Sequence, residues 1–295
     1  MFSKPTTQSL KSISAIHPPF SVENRMFSPG HFFLLFALPF IISVLLFTGC
    51  ATIYRPTPKE PLSLDEVKTV ISRIQEQEDK VASFYSSGTI LVKDWKWESE
   101  ADILIAGIRR PLRIKIEITH PWGRPILHFL IDNRRLQVLS FNEKKLYLGD
   151  FTPETLSRFF PGIFFDYNMI WAVLRGYPTL KSHIRIISPG ANRISLLNQK
   201  GEDIEVIELY PENLLPKRVS FPGNYVDMAF SGYKENNGIY YAAEVTVKNI
   251  KGGRALLLNN RKKAFNGTIP DQIFILKKPP GFETVYLDEV PGDVN

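Results

Sequence analysis

The sequence contains a single cysteine, Cys50, in 295 residues. It therefore can form no intramolecular disulfide and no metal site built from several thiolates. It also lacks the P-loop pattern, the G-x-G-x-x-G pattern and the G-x-S-x-G pattern of serine hydrolases. Its acidic residues are scattered and form no pair placed for acid–base chemistry. These absences predict a binding protein rather than an enzyme, with no metal and no other cofactor.

A long basic stripe is also missing. The net charge is +6, but Lys and Arg are interleaved with Asp and Glu along the chain. Proteins that follow a phosphate backbone concentrate their positive charge, so nucleic-acid binding is not expected. The hydrophobic share of 44% is that of an ordinary globular protein.

Residues 32–47 form an apolar run of sixteen residues without a charge, preceded by Lys4, Lys11 and Arg25. A membrane-spanning helix needs about 20 apolar residues, whereas the apolar part of a signal peptide is shorter. We therefore expect an exported protein, with an uncleaved membrane anchor as the alternative. Translation could begin at Met1 or at Met26, and the sequence leaves both open.

Thr48, Gly49 and Cys50 follow this run at once and resemble the lipobox of bacterial lipoproteins, although Phe47 stands where that family usually has Leu. The resemblance implies that residues 1–49 are a signal peptide and that the Cys50 thiol carries lipid. An Asp after the cysteine often retains such proteins in the inner membrane. Ala51 stands there instead, which implies an outer-membrane location facing the periplasm.

Residues 50–62 contain Pro56, Pro58 and Pro61 and are predicted to be a flexible tether. A domain is expected over 63–295. It begins with a capping-box pattern at Ser63 and Glu66, followed by apolar residues at helical spacing that predict a helix over 63–84. Gly88 is expected to mark the end of that helical segment, with strands following.

Alternation of apolar and polar residues predicts many strands, most clearly over 112–119. Two short helices are expected to interrupt them, one capped by Thr152 and one between Asp166 and Gly176. A mainly β fold follows, either a barrel or a strongly curved antiparallel sheet whose apolar face the helices cover. The predicted strands are 89–95, 100–108, 112–119, 126–132, 135–141, 145–149, 183–188, 193–198, 203–210, 216–221, 225–232, 239–247 and 272–277.

Four phenylalanines cluster between the two short helices, and they either pack the core or line a cavity. They are Phe159, Phe160, Phe164 and Phe165.

Three segments then resemble a known family: Ile118 to Leu127, Asn168 to Pro178 and Leu215 to Val219. Their order and spacing are similar to LolB-type outer-membrane lipoprotein receptors of the LolA/LolB superfamily, over most of residues 63–282. The stretch 271–282 is more similar to the end of the soluble carrier of that superfamily.

The resemblance implies an open antiparallel half-barrel, closed by helices around a hydrophobic cavity for acyl chains. It implies acylated lipoproteins, a periplasmic LolA-like carrier and membrane lipid as partners of a monomer. The expected membrane-engaging loop is Pro121, Trp122 and Gly123, with Trp where the family typically has Leu. The candidate cavity residues are Ile103, Ile105, Ile114, Ile116, Ile118, Phe129, Trp171 and Leu174.

Several alternatives stay open at this point. Trp122 could instead fold back onto the core within a tight turn, because large aromatic residues are mostly buried. The protein could bind lipid or sense envelope stress without inserting lipoproteins. It could also be a structural lipoprotein whose interior is fully packed.

Overall fold

The computed structural model describes residues 60–287 except 95, 161–164 and 191. All of these residues belong to the unit Thr57–Asn295. The predicted signal peptide, Cys50 and residues 50–59 of the predicted tether lie outside the described residues, so their assignments stay predictions. No described helix has both the length and the apolar character needed to cross a membrane.

The described residues form three α-helices and fourteen strands. The helices are α1 (Leu64–Asp79), α2 (Pro153–Ser157) and α3 (Tyr167–Arg175). Short 3-10 helices occupy Pro222–Asn224 and Asp271–Phe274. The strands are β1 (Ser83–Lys93), β2 (Glu98–Ile108), β3 (Arg113–Thr119), β4 (Pro125–Asp132), β5 (Arg135–Ser140), β6 (Lys145–Asp150), β7 (Arg185–Gly190), β8 (Arg193–Leu197), β9 (Asp203–Leu209), β10 (Pro216–Phe221), β11 (Val226–Asn236), β12 (Ile239–Asn249), β13 (Ala255–Phe265) and β14 (Glu283–Tyr286).

All fourteen strands belong to one curved open sheet, in the order β14-β6-β5-β4-β3-β2-β1-β13-β12-β11-β10-β9-β8-β7. Neighbouring strands are antiparallel except at one edge, where β14 pairs with β6 in parallel. The mainly β class, the open sheet and the few covering helices predicted from the sequence are confirmed. In β3 the predicted alternation is exact, since Ile114, Ile116 and Ile118 are buried and their neighbours are half-buried.

Helix α1 begins as the capping box predicts. The Ser63 hydroxyl accepts a hydrogen bond from the Glu66 N–H, and the Glu66 carboxylate accepts one from the Ser63 N–H at 2.8 Å. The predicted end at residue 84 is wrong, because the helix stops at Asp79. Val81 and Phe84 continue the helical spacing by chance, but Phe84 is already in β1 and packs edge-on against Trp171, with ring centroids 5.2 Å apart.

Gly88 does not end the helical segment; it lies in the middle of β1. The register between β1 and β13 shifts between Ser87 and Gly88, which is a β-bulge. A Cβ atom at Gly88 would lie 1.8 Å from the Asn259 carbonyl oxygen. The glycine is therefore required by the close approach of the neighbouring strand.

Strand β13 was not predicted from the sequence, because polar residues occupy some of its inward positions. Asn260 and Lys263 are buried there, and the bulge changes the phase of the alternation between them. The predicted strand 272–277 is wrong: Phe274 ends a 3-10 helix and packs with Ala106 and Leu130 in a second, smaller apolar cluster. Strand β14, which follows that segment, was also not predicted.

Both short helices are confirmed. Thr152 caps α2, with Pro153 in its first turn. The Asp166 carboxylate accepts a hydrogen bond from the Met169 N–H at 2.8 Å at the start of α3, and Gly176 ends α3 with a φ of 81°. Both α1 and α3 bury apolar side chains in the core cluster that the sheet forms.

Candidate functional site

An apolar cavity of about 370 Å³ lies between the sheet and the segment that follows α2. This volume is within the range of roughly 300–1,000 Å³ typical of small-ligand sites. Most of the wall comes from aliphatic side chains on β1, β2, β3, β4 and β13. The apolar lining residues are Ile90, Val92, Ala101, Ile118, Ile126, Leu127, Phe159, Phe160, Ala255 and Leu256.

Phe159 and Phe160 form the helical side of this cavity. Both rings contact Phe129 of β4, with centroids 5.7 Å away for Phe159 and 5.1 Å away for Phe160. Phe159 also lies against Tyr147 at 5.2 Å. Contacts between side chains thus hold these two rings in place, and they are two of the four phenylalanines that the sequence singled out. Phe165 is buried and lines the inner void described next, and Phe164 lies outside the described residues.

A small inner void of about 30 Å³ lies beyond Phe160 and is lined only by apolar residues. Ile90, Phe160 and Leu256 line both spaces, so the void extends the cavity toward α3. The far side is formed by Ile170, Val173 and Leu174 of that helix. An apolar void of this kind stays dry, because no polar group is present to bind water.

The sequence-predicted cavity residues fall into three groups. Ile118 lines the main cavity, and Ile103, Ile116 and Leu174 line the inner void. Phe129 does not line the cavity itself but packs against Phe159 and Phe160, which do. The remaining three, Ile105, Ile114 and Trp171, are buried in the core and line neither space.

The mouth of the cavity carries charge. Its lining includes Lys93 and Asp94 at the end of β1 and Arg254 at the start of β13. The Arg254 Nε donates a hydrogen bond to Asp94 Oδ2 at 2.9 Å, and Lys93 forms an ion pair with Glu98 at 3.2 Å. The side chain of Lys93 is largely exposed, so this end of the cavity faces solvent.

The loop between β3 and β4 lies next to the mouth, since Ile118 and Leu127 at its base both line the cavity. It is a tight turn in which the Gly123 N–H donates to the His120 carbonyl at 2.7 Å. Gly123 has a φ of 85°, a conformation that favours glycine. Trp122 at the tip is 74% exposed and stacks on His120, with ring centroids 4.4 Å apart. The ring is therefore not folded back onto the core.

Two buried basic side chains form hydrogen bonds to backbone carbonyls of α1 and α3, beside the inner void. The fully buried Arg175 donates a hydrogen bond to the Gln77 carbonyl near the end of α1. The Lys263 Nζ donates to the Leu174 carbonyl at 2.7 Å, and Leu174 itself lines the inner void. Burial lowers the pKa of Arg175 to about 10, and burial together with the nearby Arg175 charge lowers the pKa of Lys263 well below its usual value.

The largely apolar lining of this cavity can bind an apolar ligand. The residues that the structure describes contain no cluster of three or more His, Cys, Asp or Glu side chains able to hold a metal ion. His128 pairs with Glu117 across β3 and β4, and His120 stacks on Trp122. Binding would come from removal of apolar surface from water, which requires no directed bonds.

Sequence reasoning missed much of the cavity wall. Val92 and Leu256 were not singled out, because the inward face of β1 and β13 is recognisable only when the two strands are paired. Ala101 of β2 was also not singled out, although it alternates in phase with the predicted Ile103. Trp97, which also lines the cavity, was missed as well. A signal for it was available, since two tryptophans, Trp95 and Trp97, stand among charged residues where one predicted strand ends and before the next begins.

No family model matches the sequence, and no curated protein is significantly similar to it. Among solved structures, a DUF1329 family protein from Desulfovibrio piger superposes with a TM-score of 0.51 at 11% identity, covering 74% of this chain and 98% of that one. At this identity the likeness shows a shared fold and no more.

Two further solved structures give TM-scores of 0.48. One, from Vibrio parahaemolyticus, is described as a candidate outer membrane lipoprotein-sorting protein domain and is 12% identical, covering 70% of this chain and 97% of that one. The other is a LolA superfamily protein from Nitrosomonas europaea, 14% identical with the same coverage of 70% and 97%.

Proposed function

We propose that this protein is a lipid-anchored outer-membrane lipoprotein that takes up acyl chains of other lipoproteins and helps to insert them into the membrane. The observation that carries the proposal is the apolar cavity of about 370 Å³ whose mouth adjoins an exposed tryptophan loop. A ligand leaving the cavity emerges beside a side chain suited to a bilayer surface. The lipobox and the family resemblance of the sequence support the same function.

The cavity suits reversible transfer of acyl chains. Each CH₂ group buried in it contributes about 0.8 kcal/mol, so affinity grows with the length of chain inserted. A bilayer offers the same chain a comparable environment, so release requires contact with the membrane rather than a chemical step. The proposed partners are therefore acylated lipoproteins and a LolA-like carrier that delivers them.

Trp122 is the proposed membrane-engaging residue, held out by the turn that includes Pro121 and Gly123. The indole ring favours the interface between lipid and water, because it combines an apolar surface with one N–H donor. Cys50, outside the described residues, would only anchor the protein. A bound lipid at Cys50 would keep the protein at the outer membrane.

The first test is transfer in vitro. The unit from Thr57 to Asn295, which holds every described strand and the whole described core, is mixed with a carrier loaded with an acylated lipoprotein, and movement of the cargo is followed by pull-down. We expect the cargo to move to the protein. A folded protein that binds free fatty acid but takes no cargo would contradict the receptor role.

Membrane insertion is tested with Trp122→Glu. We expect this variant to accept cargo normally but to insert it into liposomes far more slowly, because a carboxylate is poorly tolerated at the bilayer interface. Leu104→Glu is the matched control, since Leu104 is 54% exposed in the middle of β2 and away from the loops. Equal insertion by both variants would remove Trp122 from the mechanism.

The alternative is a lipid-binding or envelope-sensing lipoprotein with no insertase activity. One observation favours it: the cavity lies at the small end of the range for ligand sites, which suits a lipid with few acyl chains. Retention of a phospholipid by the protein purified from its own membrane, with no transfer of cargo, would support this alternative.

A further inference from the structure

Four loops meet at the end of the sheet where the cavity opens, and we call them the mouth loops. They are residues 94–97, 120–124, 222–225 and 250–254, which connect β1 to β2, β3 to β4, β10 to β11 and β12 to β13. The registers place them together, since Lys93 pairs with both Glu98 and Ala255, and Val226 pairs with Asn249. The first and fourth loops line the cavity directly through Trp97 and Arg254.

Among the residues that the structure describes, each mouth loop has one exposed large apolar side chain. Besides Trp122, these are Trp97 with 53% of its surface exposed, Tyr225 with 45% and Ile250 with 62%. Large apolar side chains on a soluble surface are usually single and scattered. Here they occur on four loops that share one end of the sheet.

Tyr225 is held outward by local geometry. It ends the 3-10 helix Pro222–Asn224 with a φ of 54°, a value that is rare for a bulky residue. Its carbonyl accepts a hydrogen bond from the Ile250 N–H at 2.9 Å, which ties the third mouth loop to the fourth. The Lys251 Nζ lies 3.5 Å from the centre of the Tyr225 ring, a cation–π contact.

The charge at this end is mostly positive. The described residues within 93–98, 119–125, 221–227 and 248–254 include six basic and three acidic side chains. Two of the acidic residues, Asp94 and Glu98, form ion pairs with Arg254 and Lys93, and Asp227 lies opposite Lys248 in the pairing of β11 with β12. Six basic against three acidic side chains leave this end of the sheet with an excess of positive charge, to which Arg124 and Lys251 contribute.

We infer that the Tyr225–Ile250–Lys251 cluster is a second bilayer contact, specific for anionic lipid, on the opposite side of the cavity mouth from the Trp122 loop. This inference rests on the proposed function and adds a lipid preference and an orientation to it. With contacts on both sides, the domain stands with its mouth facing the bilayer. An acyl chain then passes between cavity and membrane without crossing water.

The composition of the cluster favours a membrane over a protein partner. Lysine is depleted in the cores of protein interfaces, whereas lysine beside exposed aromatic and aliphatic side chains is typical of surfaces that lie on a bilayer. Anionic lipid headgroups also complement the excess of positive charge.

The test is flotation of the Thr57–Asn295 unit with vesicles of phosphatidylcholine, with and without phosphatidylglycerol. We expect binding that is stronger with the anionic lipid and weaker at high salt. Lys251→Glu should lower the partition coefficient on anionic vesicles at least about fivefold, since each basic residue near such a surface contributes about 1 kcal/mol. Ile250→Ser should lower binding to both kinds of vesicle.

Two matched controls separate the cluster from general effects. Lys234→Glu makes the same charge change on β11, toward its far end, and Ile275→Ser removes an exposed isoleucine on the outer face of the sheet. Both controls should bind vesicles like the unchanged protein. All four variants should bind a fluorescent fatty acid in solution normally, because none of these residues lines the cavity.

Two results would overturn the inference. One is equal loss of vesicle binding by the controls and the cluster variants. The other is unchanged vesicle binding by Lys251→Glu and Ile250→Ser together with loss of binding to a carrier protein, which would assign the cluster to a protein partner. Normal fatty-acid binding in either case would leave the cavity's proposed function standing.

Discussion

Glu205 of β9 is fully buried, and its carboxylate is only half satisfied. Oε2 accepts a hydrogen bond from the Lys181 N–H at 2.8 Å, whereas Oε1 has no hydrogen-bond partner among the described residues. Burial raises the pKa of Glu205 to about 7, against the opposing effects of the Lys181 N–H and the Lys181 charge. The folded protein therefore holds a proton that the unfolded chain releases near pH 4.5.

This difference predicts a pH-dependent stability. Because the folded pKa is the higher one, the free energy of unfolding falls as pH rises from about 4.5 to about 7, by roughly 3 kcal/mol in total from this group. Glu205→Gln cannot ionise and should lose this component, so it gains stability relative to the unchanged protein across that window. Urea unfolding of both proteins at several pH values measures this difference in the free energy of unfolding. If the two proteins showed parallel pH profiles, the prediction would be wrong.

At the scale of elements, β1 and β13 join the two halves of the sheet through the bulge at Gly88. Gly88→Ala would place a methyl group against the Asn259 carbonyl, so one of the two strands must move. We expect a loss of about 1–3 kcal/mol or more in the free energy of unfolding, as for overpacked sites generally.

Gly190→Ala is the control for this change, because Gly190 also lies in a strand and a Cβ atom there would have no neighbour within 4 Å. Thermal unfolding of both variants compares them directly. A similar melting temperature for the two would mean that the bulge tolerates a side chain and that the approach of the strands is adjustable.

For the molecule as a whole, a larger side chain in the wall should fill the cavity without disrupting the fold. Ala101 of β2 is buried in the cavity wall, so the larger side chain of Ala101→Phe should occupy part of the empty volume. Displacing even two CH₂ groups of a ligand would weaken acyl-chain binding roughly tenfold, at about 0.8 kcal/mol each. Displacement of a fluorescent fatty acid measures this.

The control for the cavity is Ala264→Phe, which adds the same side chain at an exposed position of β13. It should bind fatty acid normally. If Ala101→Phe keeps its melting temperature and also binds normally, acyl chains do not enter this cavity.

The sequence by itself determined the features that depend on neighbouring residues. The Ser63 capping box, the cap at Asp166, the glycine end of α3 and the alternation in β3 are all as predicted, because each depends on hydrogen bonds or side-chain directions within a few residues. The mainly β class followed from the number of such local patterns.

Tertiary structure decided where α1 ends, where β13 lies and which residues line the cavity. Phe84 lies in β1 and packs against Trp171, and Lys263 can take an inward position because its Nζ donates a hydrogen bond to the Leu174 carbonyl. Ile118 and Leu256 share the cavity wall although they are far apart in the chain, whereas Ile114, equally apolar and on the same strand, does not line it. Periodicity tells which face of a strand is buried, but whether a buried side chain meets another side chain or an empty space depends on contacts between distant segments.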